Sequence, residues 1–186
     1  MKYIRLVNFC LTLPVRSLVT FLLVLALTGL LLMPATSGAA TPAQVGEQLH
    51  DLQLRGLNGP ARALFSYRGK PLLINVWASW CGPCRQEMGS LEQLAWREQG
   101  QHFNVIGIST DDSEAAAKAW LRDANATINQ YIDTALQAEN MLGADRLPLT
   151  VLVDGKGRVL GKYYGALDWN GAQAARWIDA RLRQAR

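Results

Sequence analysis

The stretch NVWASWCGPCRQEM, residues 75–88, contains two of the three cysteines of this 186-residue chain, Cys81 and Cys84. The apolar and β-branched run PLLINVWAS, residues 71–79, predicts a strand that is covered on both faces and ends just before the pair. Behind the pair, apolar residues recur at helical spacing: Met88, Leu91, Leu94 and Ala95. We therefore expect the two cysteines at the start of a helix that begins near Gly82.

This position predicts the chemistry of the pair. The unpaired N–H groups and the positive end of the helix dipole favour a thiolate, so we expect the pKa of Cys81 to lie below the value of about 8.5 for a free cysteine. Cys81 is then the nucleophile that attacks a partner disulfide, and Cys84 displaces the product and leaves the pair oxidised. Gly82 lets a partner chain approach closely, and Pro83 fits an early helical position that needs no N–H.

Other interpretations of the cysteine pair stay open on spacing alone. A structural disulfide is one, although a bond across three residues closes a loop too small to restrain the unfolded chain much. A metal site is another, but it would need two more ligands, and only His50 and His102 are on offer. We expect both histidines at the surface or in capping positions. A peroxidatic cysteine is a further alternative, which would not need the neighbouring cysteine.

The first 40 residues differ in composition from the rest of the chain. A positively charged start is followed by an apolar run over residues 18–33 and then by small residues up to Ala40. This order predicts a secretory signal peptide or an uncleaved N-terminal membrane anchor over residues 1–40. The run is shorter than the roughly twenty residues of a spanning helix, whereas Pro14 and the long start keep the anchor open. In either case residues 41–186 are expected to form one exported domain.

The charge of the chain argues against a nucleic-acid partner. The formal net charge is +4, but three of the 19 Lys and Arg residues lie in residues 1–40, which contain no acid. The remainder carries 16 basic and 15 acidic side chains, so no basic stripe is left to bind a phosphate backbone. Cys10 also lies in the leader, so the exported part holds one cysteine pair and no other cysteine.

Hydrophobic periodicity and turn residues predict alternating strands and helices, then a hairpin and a last helix. The predicted elements are a hairpin in residues 52–70 with its turn at Asn58-Gly59-Pro60, strands at 103–110 and 128–133, helices at 114–124 and 135–142, two antiparallel strands in 149–165, and a helix from about Ala172 to Arg183. Asp111, Asp112 or Ser113 is expected to cap the second helix, and Gly143 to end the third. In the last helix, Ala175, Ile178 and Leu182 are expected to face inward.

The six tryptophans fall into three groups. Trp77 is expected in the core beneath the strand, and Trp80 is expected to cover the surface beside Cys81. The others are expected to be packing residues: Trp96, Trp120, Trp169 and Trp177.

WCGPC, preceded by NVWAS, resembles the exported TlpA/ResA-like thiol–disulfide oxidoreductases of the thioredoxin superfamily. The resemblance runs from about Val45 to the C-terminus through GKPLLINVWASWCGPCRQEM, VIGIST and LPLTVLVDGKGRV. It implies an α/β thioredoxin fold, with a central mixed β-sheet flanked by helices. It also implies a TlpA-type β-α insertion, which would occupy residues 115–145 in this chain, in addition to the N-terminal hairpin.

The resemblance also nominates residues that bind substrate. In the family, a cis proline faces the disulfide, and the backbone before it pairs with an extended substrate segment, which implies that Leu147 and Pro148 hold the substrate here. A trans proline that opens the following strand is the alternative from the residues alone. Trp80 and Pro83, beside Cys81, complete the predicted substrate-binding surface.

Two positions bear on proton transfer. Thioredoxin has a buried aspartate on the strand before the motif, and this chain has Asn75 there, which cannot take a proton from Cys84. Either water or another carboxylate must then take it. The resemblance implies that Glu87, three residues after Cys84, takes this role and is a third catalytic residue. The alternative is an ordinary exposed glutamate near the start of the helix.

The resemblance implies a reductant of disulfides in envelope proteins, including apocytochrome c, that works without a cofactor or metal. In an oxidising compartment it would receive electrons from a membrane donor of the DsbD or CcdA type, with residues 18–33 as a membrane tether if the leader is kept. Leu149 follows Pro148, where the cytochrome-maturation group of the CcmG type commonly has glutamate, so a general reductase is favoured. The alternative is a non-catalytic envelope protein that binds a partner or copper through the cysteines.

Overall fold

The computed structural model describes residues 41–98 and 101–185, so the predicted signal peptide or anchor over residues 1–40 lies outside the described residues. Seven strands form one mixed sheet in the order β2-β1-β5-β4-β3-β6-β7. The strands are β1 Gln53–Gly56, β2 Arg62–Ala63, β3 Leu72–Trp77, β4 Asn104–Ser109, β5 Asn129–Ile132, β6 Leu149–Val153 and β7 Val159–Tyr164. β3, β4 and β5 run parallel, and the other pairs are antiparallel.

Four α-helices connect or follow these strands in the described part of the chain. They are α1 Gly82–Glu98, α2 Glu114–Asp123, α3 Gln137–Leu142 and α4 Ala172–Gln184, and a 3₁₀ turn occupies Leu64–Tyr67. Within the ranges that the structure describes, no helix has both the length and the apolar character needed to cross a membrane.

β3 lies between β4 and β6, and all six of its residues are buried. Side chains alternate between the two faces of the sheet, so Leu73, Asn75 and Trp77 share one face. Leu73 and Trp77 pack with residues of α1, whereas Ile74 and Val76 pack on the opposite face with residues of α3. The continuous apolar run is therefore explained by burial on both sides, and Asn75 is the polar exception beneath α1.

Most of the predicted elements are confirmed. The N-terminal hairpin, the strands, the helix that begins at Gly82 and the closing antiparallel pair are all present. Ser113 caps α2, because its Oγ accepts from the N–H of Ala116 at 3.3 Å. Gly143 ends α3 in the left-handed region, with φ of 72°. Residues 115–145 contain most of α2, β5 and α3, and their identity as a TlpA-type insertion stays a prediction.

Two packing predictions are wrong. On α4, Ala174 is buried and Ala175 is exposed, because the inward stripe runs from Ala174 to Ile178 at a spacing of four residues. On α1, Trp96 is 59% exposed and its Nε1–H donates to Oγ1 of Thr127 at 3.0 Å. Its position around the helix axis puts the indole outside the apolar stripe of Met88, Leu91 and Leu94.

Candidate active site

The loop between β3 and α1 is held by a buried carboxylate. Asp111, just after β4, accepts from the N–H and the hydroxyl of Ser79 at 2.9 and 2.7 Å, and from the hydroxyl of Ser109 at 2.7 Å. The guanidinium of Arg85, on the first turn of α1, donates to the carbonyl oxygen of Ser79 at 2.8 and 3.1 Å. These bonds fix the backbone immediately before the cysteine pair.

Cys81 and Cys84 are joined by a disulfide at the start of α1, with their Cα atoms 5.3 Å apart. The backbone N–H of Cys84 donates to Sγ of Cys81 at 3.2 Å. Cys81 retains 4% exposure, and Cys84 is fully buried. An N–H group at the helix start therefore points at the outer sulfur, which is the arrangement that favours negative charge on that atom.

The surface next to the disulfide combines an exposed aromatic ring with a proline loop. Trp80 is 70% exposed, whereas Trp77 is fully buried and its indole Nε1–H donates to Gln130 at 2.9 Å. The Leu147–Pro148 peptide bond is cis. Leu147 is half-buried and packs against the apolar cluster that contains both cysteines.

Glu87 is buried one turn beyond Cys84 on α1, with 2% of its surface exposed, so the alternative of an exposed helix glutamate is wrong. Three groups donate to its carboxylate: Asn75 Nδ2 at 2.8 Å, the Leu167 N–H at 3.1 Å and Trp169 Nε1–H at 2.9 Å. Burial raises the pKa of Glu87 to about 7, although these hydrogen bonds act in the opposite direction. Glu87 can therefore exchange a proton near neutral pH.

Asn75 connects Glu87 to strand β6. Its Nδ2 donates to Glu87 Oε1 and also to Oγ1 of Thr150, at 3.0 Å. Its Oδ1 is buried and has no hydrogen-bond partner among the described residues. The position that holds an aspartate in thioredoxin thus belongs to the same buried polar cluster as Glu87.

Several members of this site could not be identified from the sequence. Trp169 was expected only to pack, and it packs with Tyr163 and Trp177 at ring distances of 5.8 and 5.9 Å, but it also donates to Glu87. The sequence predicts Asp111 only as one of three candidate caps of the second helix. Its place at the carboxyl end of a strand parallel to β3 is the signal that could have found it, because such ends meet at the same edge of a sheet.

No group of three or more His, Cys, Asp or Glu side chains suited to a metal occurs among residues 41–98 and 101–185. His50 and His102 are exposed, as expected.

The fold and the paired cysteines at a helix start define a thiol–disulfide oxidoreductase of the thioredoxin fold, and comparison with known proteins agrees. Residues 45–176 match the model of the AhpC/TSA family, and the chain belongs to that family. The thiol:disulfide interchange protein DsbE of Pseudomonas aeruginosa is 36% identical over 132 residues, which cover 68% of this chain and 69% of that protein.

Two further comparisons extend this result. The thiol-disulfide oxidoreductase ResA of Geobacillus thermodenitrificans is 30% identical over 141 residues, covering 76% of this chain and 81% of that protein. A solved structure described as a thiol:disulfide interchange protein DsbE from Chlorobium tepidum has a TM-score of 0.69 and 26% identity, and the match covers 75% of this chain and 99% of that one. The chain is therefore a thiol–disulfide oxidoreductase of the DsbE/ResA type.

Proposed function

We propose that residues 41–186 work outside the cytoplasm as a reductant of protein disulfides, with residues 1–40 as a signal peptide or membrane anchor. The hydrogen bond from the Cys84 N–H to Cys81 Sγ at 3.2 Å is the observation that carries the exchange chemistry of this proposal. The reducing direction is proposed from Gly82 and Pro83 between the cysteines, which resemble the reducing members of the family. An N–H group aimed at this sulfur stabilises the thiolate once the disulfide is reduced, and the thiolate is the form that attacks a substrate disulfide.

The reaction transfers two electrons from the dithiol to the substrate. The Cys81 thiolate attacks one substrate sulfur, a mixed disulfide forms, and the other substrate sulfur leaves as a thiolate that takes up a proton. Cys84 then loses its proton and attacks Cys81, which releases the second substrate thiolate and closes the Cys81–Cys84 disulfide. Glu87 is the proposed acceptor of the Cys84 proton, since it is buried one helical turn away and its pKa is raised to about 7.

The proposed substrate surface surrounds Cys81. Trp80 offers an exposed ring, Pro83 lies exposed on the first turn of α1, and Leu147 and Pro148 supply backbone for an extended substrate segment. An exposed aromatic ring beside a reactive group gives contact area at a small cost in side-chain entropy. The partners are therefore proposed to be proteins with an accessible disulfide.

The cellular setting is a further part of the proposal. Similarity to DsbE and ResA supports a site of action in the periplasm or at the outer face of the cytoplasmic membrane. Electrons would come from a membrane donor of the DsbD or CcdA type. Substrates would be envelope proteins, with apocytochrome c among them. A fusion of residues 1–40 to a reporter enzyme that is active only outside the cytoplasm tests export, and an inactive fusion argues against it.

The direction of electron flow can be measured directly. The fraction of reduced protein in glutathione buffers gives the potential of the pair, with a chain in which both cysteines are serine as the control. A reductant should lie near the thioredoxin value of about −270 mV, whereas a value near about −120 mV would indicate an oxidant and contradict the proposal. Stoichiometric copper in the purified protein without reduction of insulin would support the metal-binding alternative instead.

A further inference from the structure

The buried polar cluster beneath α1, which contains Asn75, Glu87 and Thr150, includes one oxygen atom without a hydrogen-bond partner among the described residues. Asn75 Oδ1 is buried without a partner among the described residues, although Nδ2 of the same amide donates to both Glu87 and Thr150. Buried polar atoms are nearly always paired, because an unpaired acceptor loses its hydration without replacement. The unpaired oxygen therefore needs an explanation.

The partners of Glu87 supply one. Every group that the structure places in hydrogen-bond contact with its side chain donates: the amide of Asn75, the backbone N–H of Leu167 and the indole of Trp169. Three donors suit an ionised carboxylate, but a protonated carboxyl carries an O–H that needs an acceptor. A backbone N–H and an indole N–H cannot accept. Of these three partners, the amide is the group that carries an acceptor as well as a donor.

We propose that the side-chain amide of Asn75 turns by half a turn about its Cβ–Cγ bond when Glu87 takes up a proton. In the orientation of the present structure, Nδ2 donates to the carboxylate. In the turned orientation, Oδ1 accepts from the carboxyl O–H. Asn75 is then a positioning residue that gives a hydrogen bond to both forms of Glu87.

Thr150 fits both orientations. Its hydroxyl accepts from Nδ2 at 3.0 Å in the present structure, and a hydroxyl can rotate to donate to Oδ1 after the turn. Asn75 therefore makes two hydrogen bonds in each orientation. Oδ1 lacks a partner in the present orientation, and Nδ2 lacks one after the turn. In the present orientation the Asn75 bond lowers the pKa of Glu87. Because the turned amide also bonds the protonated form, Asn75 lowers this pKa less than a donor that cannot turn.

The groups around Glu87 do not account for its uptake of a proton. On α1, Cys84 lies one turn away and does not titrate while it is in the disulfide. In the segment after β7, Asp168 lines a shallow surface pocket together with Glu87, but it does not contribute to the shift in the pKa of Glu87. β3 and β6 contribute the neutral Asn75 and Thr150. The inference deepens the proposed function, on which it rests for the use of the Glu87 proton in turnover.

Neutron diffraction tests the turn directly in the oxidised wild-type protein. Crystals exchanged into D₂O at about pH 5 and about pH 9 bracket the titration of Glu87, and nuclear density distinguishes an oxygen from a deuterated nitrogen. We expect Oδ1 of Asn75 to face Glu87 at the lower pH and Nδ2 to face it at the higher pH. The same amide orientation at both pH values would overturn the inference.

A titration gives an independent test with a matched control. The carboxyl carbon of Glu87 is followed by NMR in the oxidised protein, in Asn75→Leu and in Trp169→Phe. Loss of the indole N–H, which can only donate, should move the midpoint up by about one to two pH units, whereas Asn75→Leu should move it by less than half as much. If the Glu87 midpoint rises as much in Asn75→Leu as in Trp169→Phe, the Asn75 amide acts as a donor that does not turn, and the inference is overturned. Neither measurement involves a substrate, so a failure of reductase activity would be seen separately.

Discussion

Glu87 and Trp169 are 82 residues apart in the chain, and the indole Nε1–H of Trp169 donates to Oε2 of Glu87 at 2.9 Å. The backbone N–H of Leu167 donates to the same oxygen at 3.1 Å. This buried carboxyl group, one turn from the disulfide, therefore links the segment after β7 to α1 through two hydrogen bonds. A buried carboxyl group in this position influences the stability of the fold, and it is the group proposed to accept the Cys84 proton.

Replacement of this carboxyl by an amide should stabilise the oxidised protein at high pH. Burial raises the pKa of Glu87 from 4.5 to about 7, so the folded state holds the proton more tightly than the unfolded state. The stability associated with the protonated form is fully present below about pH 4.5 and is lost as pH rises to about 7, at a cost of about 3 kcal/mol. Glu87→Gln should be more stable than wild type by about 2 to 3 kcal/mol at pH 8 and about equal at pH 4.

Urea unfolding at several pH values measures this difference. Glu114→Gln is the control, because 37% of the Glu114 side chain is exposed and its pKa is lowered by Lys118 and Arg55. This control should not become more stable at high pH. An unchanged or lower stability of Glu87→Gln at pH 8 would contradict the burial argument.

Asp111→Ala should destabilise the loop before the cysteines. It removes the acceptor for two groups of Ser79 and for the hydroxyl of Ser109, all at 2.9 Å or less, and the expected loss is about 2 to 4 kcal/mol. Asp112→Ala is the matched control, because Asp112 is the next residue and is exposed, and it should change stability by less than about 0.5 kcal/mol. Equal unfolding free energies for the two variants would show that Asp111 does not hold the loop.

Trp80→Ala should affect substrate binding and leave the fold intact. Trp80 is 70% exposed, so its loss should change the free energy of unfolding by less than about 0.5 kcal/mol. If its ring contacts a protein substrate, KM for insulin should rise about tenfold, in line with the loss of one interface aromatic. Trp96→Ala removes a ring that is 59% exposed near the end of α1, whereas Cys81 precedes the start of that helix, and it should leave KM unchanged. Equal KM values for the two variants would remove Trp80 from the substrate surface.

Local patterns predict the order of the elements because burial imposes a period of two or 3.6 residues on the sequence. β3, the helix from Gly82 and the final hairpin follow from this alone. The same rule predicts Ala175 inside α4 because the alanines of this helix allow more than one apolar stripe. Packing with Leu160 and Tyr163 of β7 selects the stripe of Ala174 and Ile178. Trp96 and Trp169 could not be separated by residue type, since only tertiary contacts bury one and expose the other.

The site was predictable to the extent that its residues are neighbours in sequence. Cys81 immediately precedes α1, and Cys84 and Glu87 lie on its first two turns, so the three residues fall within a stretch of seven. The partners of Glu87 come from β3 and from the segment after β7, and no local pattern marks a contact across 82 residues. The burial of Glu87 and its raised pKa therefore required the three-dimensional structure.

Trapping of a mixed disulfide tests whether Cys81 attacks the substrate and Cys84 resolves the mixed disulfide. In a chain in which Cys10 is serine, reduced Cys84→Ser is mixed with oxidised insulin, and Cys81→Ser is treated in the same way. We expect Cys84→Ser to form a covalent adduct through Cys81 that dithiothreitol releases, and Cys81→Ser to form none. Absence of an adduct in Cys84→Ser, or an adduct through Cys84 in Cys81→Ser, would contradict this expectation.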